Sequence, residues 1–465
     1  MRPVLTPQQM RVLDAEVVTN GTPIEELIAR AGAAVARAAK RMMGGLYGRT
    51  VVVVAGKGNN GSDGRVAGRL LADQGVRVIV LDADRMPPRL PACDLIIDAA
   101  YGTGFRGDWR PPSTNGAPVL AVDVPSGLDG LTGLAASGAW TADRTVTFVA
   151  LKAGVLLGSG PTLCGEVEVA DVGILPGTGN VDINEVEVSD VGSWLPRREP
   201  DSHKWRSAVF SLAGSTGMTG AASLCALAAM RSGAGIVHVA SPGIVSDHAT
   251  PIEVVRKSLP MVDWSDDILA AVNGESARFK SMVVGPGLGR DNGTAAETRK
   301  VIFGANVPMV IDGDGLFALA WGGDGARDIV RSRGAGTVLT PHDGEFTNLL
   351  GYKPSPDRIA SARCLASDTN CVCLLKGSTT VVAEPSGQVF IVSNGNQRLA
   401  TAGTGDVLAG IIGALLAQGM QPFRAAASGA FLHARAASLF DADEGMVASD
   451  LLDLLPRAIA GVRLT

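Results

Sequence analysis

The sequence predicts an α/β protein made of two three-layer α/β/α units. Three observations carry that prediction. Continuous apolar runs alternate with helical patterns along most of the chain, which is the signature of parallel sheets covered on both faces. Glycine is abundant, at 59 of 465 residues, while aromatics make up only 4%, a balance that suits tight strand-to-helix turns. The alternation stops at a charged, proline-bearing stretch, Leu195 to Asp201, and then restarts. We therefore expect a first unit over residues 1–195, a linker over 196–202 and a second unit over 203–465.

In the first unit the strands are expected at Val51–Ala55, Val76–Leu81, Leu95–Asp98, Val119–Val122 and Thr145–Phe148, with a helix over Asp63–Gln74. In the second they are expected at Ala208–Ala213, Ile236–Ala240, Met282–Gly285, Val307–Ile311, Thr337–Leu339 and Val372–Leu375. Helices are expected at Gly220–Arg231 and Val407–Gln418.

Composition excludes several function classes. With 41 basic and 46 acidic side chains the net charge is −5, so nucleic acid is not expected as a partner. The longest uncharged stretch, Ser207 to Met230, is broken by glycines and polar residues, and no membrane span is expected. The N-terminus lacks the apolar core of a signal peptide. Six cysteines are sparse for this length. The CxC of Cys371 and Cys373 lies in an apolar strand without a nearby histidine, so buried free thiols are expected, and the reducing cytoplasm as compartment.

Chemistry-bearing residues gather at strand ends. The strand Val51–Ala55 runs into Gly56, Gly58 and Gly61, a G-x-G-x-x-G before a helix, with Asp82 and Asp84 after the next strand. That pattern holds a dinucleotide pyrophosphate on backbone N–H groups, which makes the unit Rossmann-like. Asn59, Asn60 and Asp63 at the same turn do not fit a pyrophosphate. They suit a ribose hydroxyl, an amide or a cation, although Ser62 and Asp63 are also good helix N-caps. Asp98 and Asp123 close the next strands and lead into Gly102–Gly107 and Val124–Gly127. Asn60, Asp98 and Ser126 offer hard oxygen ligands for an alkali cation or magnesium. The alternative for either aspartate is a local bond to turn N–H groups. In the second unit, Gly403-Thr404-Gly405-Asp406 opens an apolar helix. Glycine-turn N–H groups there suit a phosphate, and an aspartate suits taking the proton of an attacking hydroxyl. Asp406 as a plain N-cap explains the aspartate but not the glycines.

The segments GNNGSDG (58–64), DAAYGTGFRG (98–107) and VDVPSGLD (122–129) resemble the NAD(P)H-hydrate epimerase family. The resemblance implies a substrate site from Asn59, Asn60, Gly61, Ser62 and Asp63. It adds Gly102, Thr103, Gly104, Phe105, Arg106, Gly107 and Asp108 as a phosphate cradle. It implies Asp123 for substrate contact and proton transfer, and K+ held by Asn60, Asp98 and Ser126. Ser62 and Ala153 depart from the family pattern, and Ser62 is placed to narrow the pocket. The segments GSTGMTGAA (214–222), RSGAGIV (231–237), VVGPGLG (283–289), TPHDGE (340–345), LLKGSTTVV (374–382) and ATAGTGDVLAGIIGALLAQG (400–419) resemble ribokinase-like ADP- or ATP-dependent NAD(P)H-hydrate dehydratases. This implies hydrate contacts from Ala221, Gly289, His342 and Asp406, with Asp406 as base. It implies adenine nucleotide on Lys376, Gly377, Ser378, Thr379, Thr380 and Gly405. Mg2+ is implied at the phosphates and ADP as donor. A lone histidine such as His342 is as readily structural, and His203, His238, His248 and His433 are expected to be structural or solvated. Trp205 and Ser207-Ala208 depart from the family's HKGxxG and are placed to reshape the mouth of the nucleotide site; Asp343 replaces a proline.

Together these imply a bifunctional enzyme acting on NAD(P)H hydrates and an adenine nucleotide, expected as a homo-oligomer. The alternatives are a ribokinase-like kinase of a small alcohol with a non-catalytic N-terminal binding module, and an N-terminal protein- or RNA-binding module. The three motifs VVGPGLG, TPHDGE and KGSTTVV argue against the first. The acidic balance argues against RNA.

Overall fold

The computed structural model describes residues 1–176, 181–244, 251–321, 328 and 330–464. The chain divides into two compact units, Arg2–Asn184 and Glu185–Thr465 with Met1. The break therefore falls ahead of the expected boundary at 195. The reason is a short helix, Val188–Trp194, whose apolar face belongs to the second unit. Its Trp194 ring stacks 5.3 Å from Phe390, and the Arg424 guanidinium lies 5.5 Å from the Trp194 ring centroid. The charged stretch that follows is irregular, as expected, but lies inside the second unit.

The first unit holds a six-stranded parallel sheet. Its strands are β1 (Thr50–Ala55), β2 (Arg77–Asp82), β3 (Leu95–Ala99), β4 (Val119–Val122), β5 (Arg144–Phe148) and β6 (Glu166–Ala170). Their order is β2-β1-β3-β4-β5-β6, all parallel. β1, β3 and β4 are almost wholly buried, which is why they read as unbroken apolar runs. The order reverses between β1 and β3, and the crevice beyond their carboxyl ends is where such sheets bind ligands. Helix α1 (Pro7–Thr19) starts at a capping box of Thr6 and Gln9, and α2 (Ile24–Met43) buries an alanine-rich face. Helix α3 (Asn59–Ala72) packs on the sheet through glycines: a Cβ on Gly64 would sit 2.4 Å from that of Ala99. A short parallel pair, Arg2–Leu5 with Leu151–Lys152, completes the unit.

The second unit repeats the architecture. Seven parallel strands are β7 (Ala208–Leu212), β8 (Ile236–Pro242), β9 (Val255–Leu259), β10 (Ser281–Val284), β11 (Met309–Ile311), β12 (Thr337–Leu339) and β13 (Val372–Leu375). Two antiparallel strands, β14 (Thr380–Ala383) and β15 (Val389–Val392), extend one edge. The order is β9-β8-β7-β10-β11-β12-β13-β14-β15, so the direction of winding changes between β7 and β10. Helix α4 (Thr219–Arg231) and helix α6 (Thr404–Ala417) cover one face, with α7 (Pro422–Ser438) and α8 (Asp450–Arg463) packed against them, while α5 (Asp343–Leu350), which follows β12, packs on the helix Asp314–Trp321. α6 approaches α4 closely at Gly410, where a Cβ would come within 2.2 Å of the Cys225 carbonyl oxygen.

All six cysteines are free, and Cys164, Cys225, Cys371 and Cys373 are buried. Among the described residues, no group of three or more His, Cys, Asp and Glu side chains is arranged to hold a metal, and no helix is long and apolar enough to cross a membrane.

Candidate active sites

The first site is a cavity of about 680 Å3 at the carboxyl ends of β1, β3 and β4. The sequence expectation placed the Asn-rich turn before a helix starting at Asp63. The helix instead starts at Asn59, with Gly58 as N-cap and no side-chain cap bond. Asp63 is thus the fifth residue of α3 and caps nothing. It is buried, and burial pushes its carboxyl up to about 8, with the Asp123 and Asp14 charges adding to the shift. Gly61 and Gly56 are demanded by a close approach, since a Cβ on Gly61 would lie 2.0 Å from the Gly56 carbonyl oxygen. Ser62 turns its hydroxyl back to the Gly58 carbonyl at 3.4 Å, so it does not narrow the pocket as expected.

Asn59, Asn60, Asp63, Gly102, Thr103, Gly104, Phe105, Arg106, Asp108 and Asp123 line the cavity. Gly61, Ser62 and Gly107 do not. Phe105 packs on Tyr101, and Arg106 reaches Asp129 at 3.5 Å. The Asp108 carboxylate is engaged by Arg110 at 2.6 Å. Asp98 and Ser126 lie beneath the cavity, both fully buried. Ser126 donates its hydroxyl to Asp98 Oδ1 at 2.5 Å and its N–H to Oδ2 at 2.8 Å. Burial pushes the Asp98 carboxyl up to about 6, against the pull of those bonds. The local-turn alternative for Asp98 therefore holds as far as its hydrogen bonds go. Nearby, the side-chain amide of Asn60 is buried with neither Oδ1 nor Nδ2 bonded. An unpartnered amide carbonyl beside a buried carboxylate and a hydroxyl is a donor set suited to an alkali cation.

Asp123 follows β4 with φ +67, a strained conformation for a non-glycine residue. Its Oδ1 is 2.7 Å from the Lys152 ammonium and accepts from Thr147 at 3.0 Å. Lys152 is 1% exposed, and its ammonium also donates to the Phe148 and Ala150 carbonyls at 2.8 and 3.4 Å. Those carbonyls flank Val149, a β-branched residue at φ +66. A strained turn thus coordinates a buried cation that fixes one oxygen of Asp123. Asp14, from α1, lines the same cavity, its carboxyl raised mainly by burial. Sequence reasoning missed both Lys152 and Asp14. The lysine had a signal, a cation inside the apolar run Val149–Leu157. The aspartate had none, since it sits on an ordinary amphipathic helix.

The Asp63 carboxyl yields one prediction. Its folded pKa is raised, so its contribution to stability is present below about pH 4 and is lost as the pH climbs through about 8. Asp63→Asn is therefore expected to raise the stability of the first unit at neutral pH by on the order of 2 kcal/mol, measured by urea unfolding, while weakening substrate binding. A destabilised variant would show that a bond to the ionised carboxylate dominates instead.

The second site lies at the carboxyl ends of β7, β10, β11 and β12. Gly403, at φ +89, is the N-cap of α6, and Asp406 is in the first turn. Burial pushes the Asp406 carboxyl up to about 7; the Asp312 charge adds to this and Lys376 opposes it. The Lys376 ammonium is 2.8 Å from Asp312 Oδ1 and 3.5 Å from Glu345 Oε2. Burial lowers its pKa, and those two carboxylates outweigh it. Thr340 donates to Asp312 Oδ1 at 2.7 Å. A Cβ on Gly405 would lie 3.7 Å from Asp312 Oδ2 and 3.8 Å from the Lys376 ammonium. Lys376, Gly405 and Asp406 are thereby brought together, around a carboxylate that sequence reasoning missed. Its signal was present: Asp312-Gly313-Asp314 closes a strand just as Asp98 does.

The remaining expected contacts connect through the same elements. Asp314 accepts from the Gly289 N–H at 2.9 Å and from Arg290 at 2.7 Å. Ala221, in the first turn of α4, faces the Pro286–Gly289 turn, where a Cβ on Gly287 would come within 2.8 Å of its own. His342 is the N-cap of α5: Nδ1 accepts the Gly344 and Glu345 N–H groups at 3.0 and 3.2 Å. That places the proton of the neutral ring on Nε2, which faces Glu345 and open space. Gly377, Ser378 and Thr379 form the turn between β13 and β14, and Thr380 pairs with Val392. Asp343 holds Arg358 at 3.0 Å, and Arg358 donates to the Lys376 carbonyl at 2.6 Å. The substituted Trp205, by contrast, precedes β7 and packs on His238 and Phe279. It stands where the parallel strands begin, so it does not reshape the mouth of this site as expected. His433 is buried, with its pKa lowered by burial to about 4, and His203 caps a short 3-10 helix. His248 lies outside the described residues.

Fold and sites define the class: a Rossmann-like unit followed by a ribokinase-like one, each gathering ionisable groups at the carboxyl ends of parallel strands. Comparison narrows it. A family model described as NAD(P)H-hydrate dehydratase matches residues 209–459, and one described as YjeF-related protein N-terminus matches 24–90 and 82–154. The bifunctional NAD(P)H-hydrate repair enzyme Nnr of Salinibacter ruber is 36% identical, with 98% of this chain and 96% of the relative covered. That of Escherichia coli is 33% identical over 94% and 90%. Among solved structures, the ADP/ATP-dependent NAD(P)H-hydrate dehydratase of Bacillus subtilis, co-crystallised with ATP and Mg2+, is 28% identical with a TM-score of 0.51. It covers 59% of this chain and 97% of its own. The chain belongs to the bifunctional NAD(P)H-hydrate repair enzyme family.

Proposed function

We propose that the first unit interconverts the R and S epimers of NADH and NADPH hydrates, and that the second dehydrates the S epimer with ADP as phosphoryl donor, releasing AMP and phosphate. The observation that carries the reading is the meeting of Asp406, Lys376 and the Gly403–Gly405 turn at the N-terminus of α6. The turn's N–H groups and Lys376 are suited to phosphate, and Asp406 is a base whose pKa lies near neutrality. Asp406 takes the proton of the C6 hydroxyl as its oxygen attacks the β-phosphorus and AMP leaves. Loss of the C6 phosphate, with a proton from C5, then restores the double bond.

Mg2+ supplies charge neutralisation on the transferring phosphates; with no carboxylate cage among the described residues, Asp312 and Glu345 are the groups placed to hold it together with the nucleotide. In the first unit, Asn60 Oδ1, Asp98 and Ser126 would hold K+, which would supply a positive charge opposite the buried Asp98 carboxylate. Asp123 moves the C6 proton through Oδ2, since Oδ1 is committed to Lys152 and Thr147. The free thiols and the soluble substrates fit a cytoplasmic setting.

The test is restoration of dihydronicotinamide absorbance from a mixture of NADH-hydrate epimers with Mg2+, K+ and ADP or ATP. Both epimers should be recovered, faster than they interconvert spontaneously. Recovery without nucleotide dependence would sink the dehydratase reading; recovery of one epimer alone would sink the epimerase reading. With saturating ADP, dehydration should rise with pH through an inflection near 7, because Asp406 acts only when ionised and burial holds it protonated below that. A flat profile from pH 6 to 8 would remove Asp406 as the base.

A further inference from the structure

The second unit carries another cavity, of about 520 Å3, at the opposite edge of its sheet. Its walls come from Pro196–Ser207, which leads into β7, from the turn after α4, from Gln418 at the end of α6 and from the last turns of α8. This is the edge where the parallel strands begin, whereas Gly214, Gly285 and Asp312 stand where they end. α4 and α6 start beside Asp406 and finish at this cavity, about 20 Å away at the rise of a helix.

Five arginines line it, Arg197, Arg198, Arg206, Arg231 and Arg463, against one acidic residue, Glu199, in a chain of net charge −5. Helix C-termini attract cations, which accounts for Arg231 and Arg463. It does not account for the other three, which stand on the segment entering β7. Nor are the helix ends short of donors. Gln418 Nε2 donates to the Ser232 carbonyl at 3.0 Å, and Ser207 Oγ to that of Gly233 at 3.1 Å. Arg206 faces Asp201 at 3.5 Å, Arg231 faces Asp453 at 3.1 Å, and Arg463 donates to the Pro196 carbonyl at 2.8 Å. Arg197 and Arg198 are exposed, and neither has a partner among the described residues. Pro456, Ile459 and Ala460 give the cavity an apolar wall.

We propose that this cavity binds a small anion carrying a phosphoanhydride. Guanidinium forks match phosphate oxygens two at a time, and adjacent free arginines backed by three more suit two linked phosphates better than one carboxylate. The volume is that of a small-molecule site. Two sources supply the chemistry: free pyrophosphate, and a nucleoside diphosphate whose base lies on the apolar wall.

The test labels the whole 465-residue chain with phenylglyoxal, which modifies accessible arginines, and maps the products by peptide mass spectrometry. Pyrophosphate should protect Arg197 and Arg198, and chloride at equal ionic strength should not. Protection by ADP at lower concentration than pyrophosphate assigns the nucleoside diphosphate; equal concentrations assign the free anion. Calorimetric titration with pyrophosphate should show a site in the wild type that weakens by roughly tenfold or more per arginine removed in Arg197→Ala and Arg198→Ala. Both side chains are exposed and without a partner among the described residues, so the variants should fold and retain nucleotide-dependent turnover. Absence of protection by pyrophosphate, or equal protection by chloride, overturns the proposal. So does protection by polyglutamate or RNA without protection by pyrophosphate, which would assign an acidic macromolecule.

Discussion

Asp406→Asn is expected to lower the rate of nucleotide-dependent dehydration by about 10²- to 10⁴-fold, the usual range for removing a positioned general base. Asparagine has the same shape, so the first turn of α6 and the Asp312–Lys376 pair should persist. The variant also relieves the burial of a carboxyl already pushed up to about 7, so the fold should be no less stable. Nucleotide affinity should hold or improve, because a charge opposing the phosphates is gone. The signature is thus a fall in kcat with an unchanged or lower KM for ADP, and epimerisation in the first unit untouched. A kcat close to that of the wild type would falsify the assignment, and a loss confined to KM would make Asp406 a binding group.

Lys152→Met is expected to have the second largest effect, and on both stability and activity. The ammonium is fully buried and serves Asp123, Thr147 and the carbonyls of Phe148 and Ala150. Methionine fills the volume but leaves the Asp123 carboxylate without its counter-charge and the Val149 turn without its anchor. Breaking a buried pair by removing one partner costs about 3–5 kcal/mol. Urea unfolding should show this loss in the first unit alone, with the dehydratase intact. Epimerisation should fall by at least ~10²-fold even where the unit is fully folded, because Asp123 is no longer held. Asp123→Asn separates the two effects: asparagine tolerates the left-handed backbone and its amide oxygen can still accept from Lys152 and Thr147, so it should lose less stability than Lys152→Met and yet lose the reaction.

Much of the fold was legible, for a reason that also marks its limits. Parallel strands buried on both faces, such as Val119–Val122 and Val372–Leu375, show as bare apolar runs because no face is left for polar residues. Short or half-exposed strands such as Glu166–Ala170 and Val255–Leu259 mix charges with apolar residues and were not foreseen. The start of α3 was misplaced by four residues because its cap is a glycine, which leaves no side-chain signal. The same split runs through the sites. Asp98, Asp123 and Asp406 stand beside glycines at strand ends or helix starts and could be found. Lys152, Asp312 and Glu345 carry weaker local signals, and their roles in the sites rest on partners distant in sequence, Asp123 for the first and Lys376 for the other two, which spacing alone does not reveal.

The buried thiols turn the molecule into its own clock for opening. Burial pushes Cys164 in the first unit and Cys225 in the second up to about 12, and raises Cys373 as well. Only a thiolate alkylates at an appreciable rate, so in the closed state these positions are doubly protected, by access and by protonation. A pulse of iodoacetamide then counts opening events, and peptide mapping separates Cys164 from Cys225 and Cys373. Each half of the chain reports its own local unfolding without a label being introduced, so a ligand that steadies one half and not the other can be located directly.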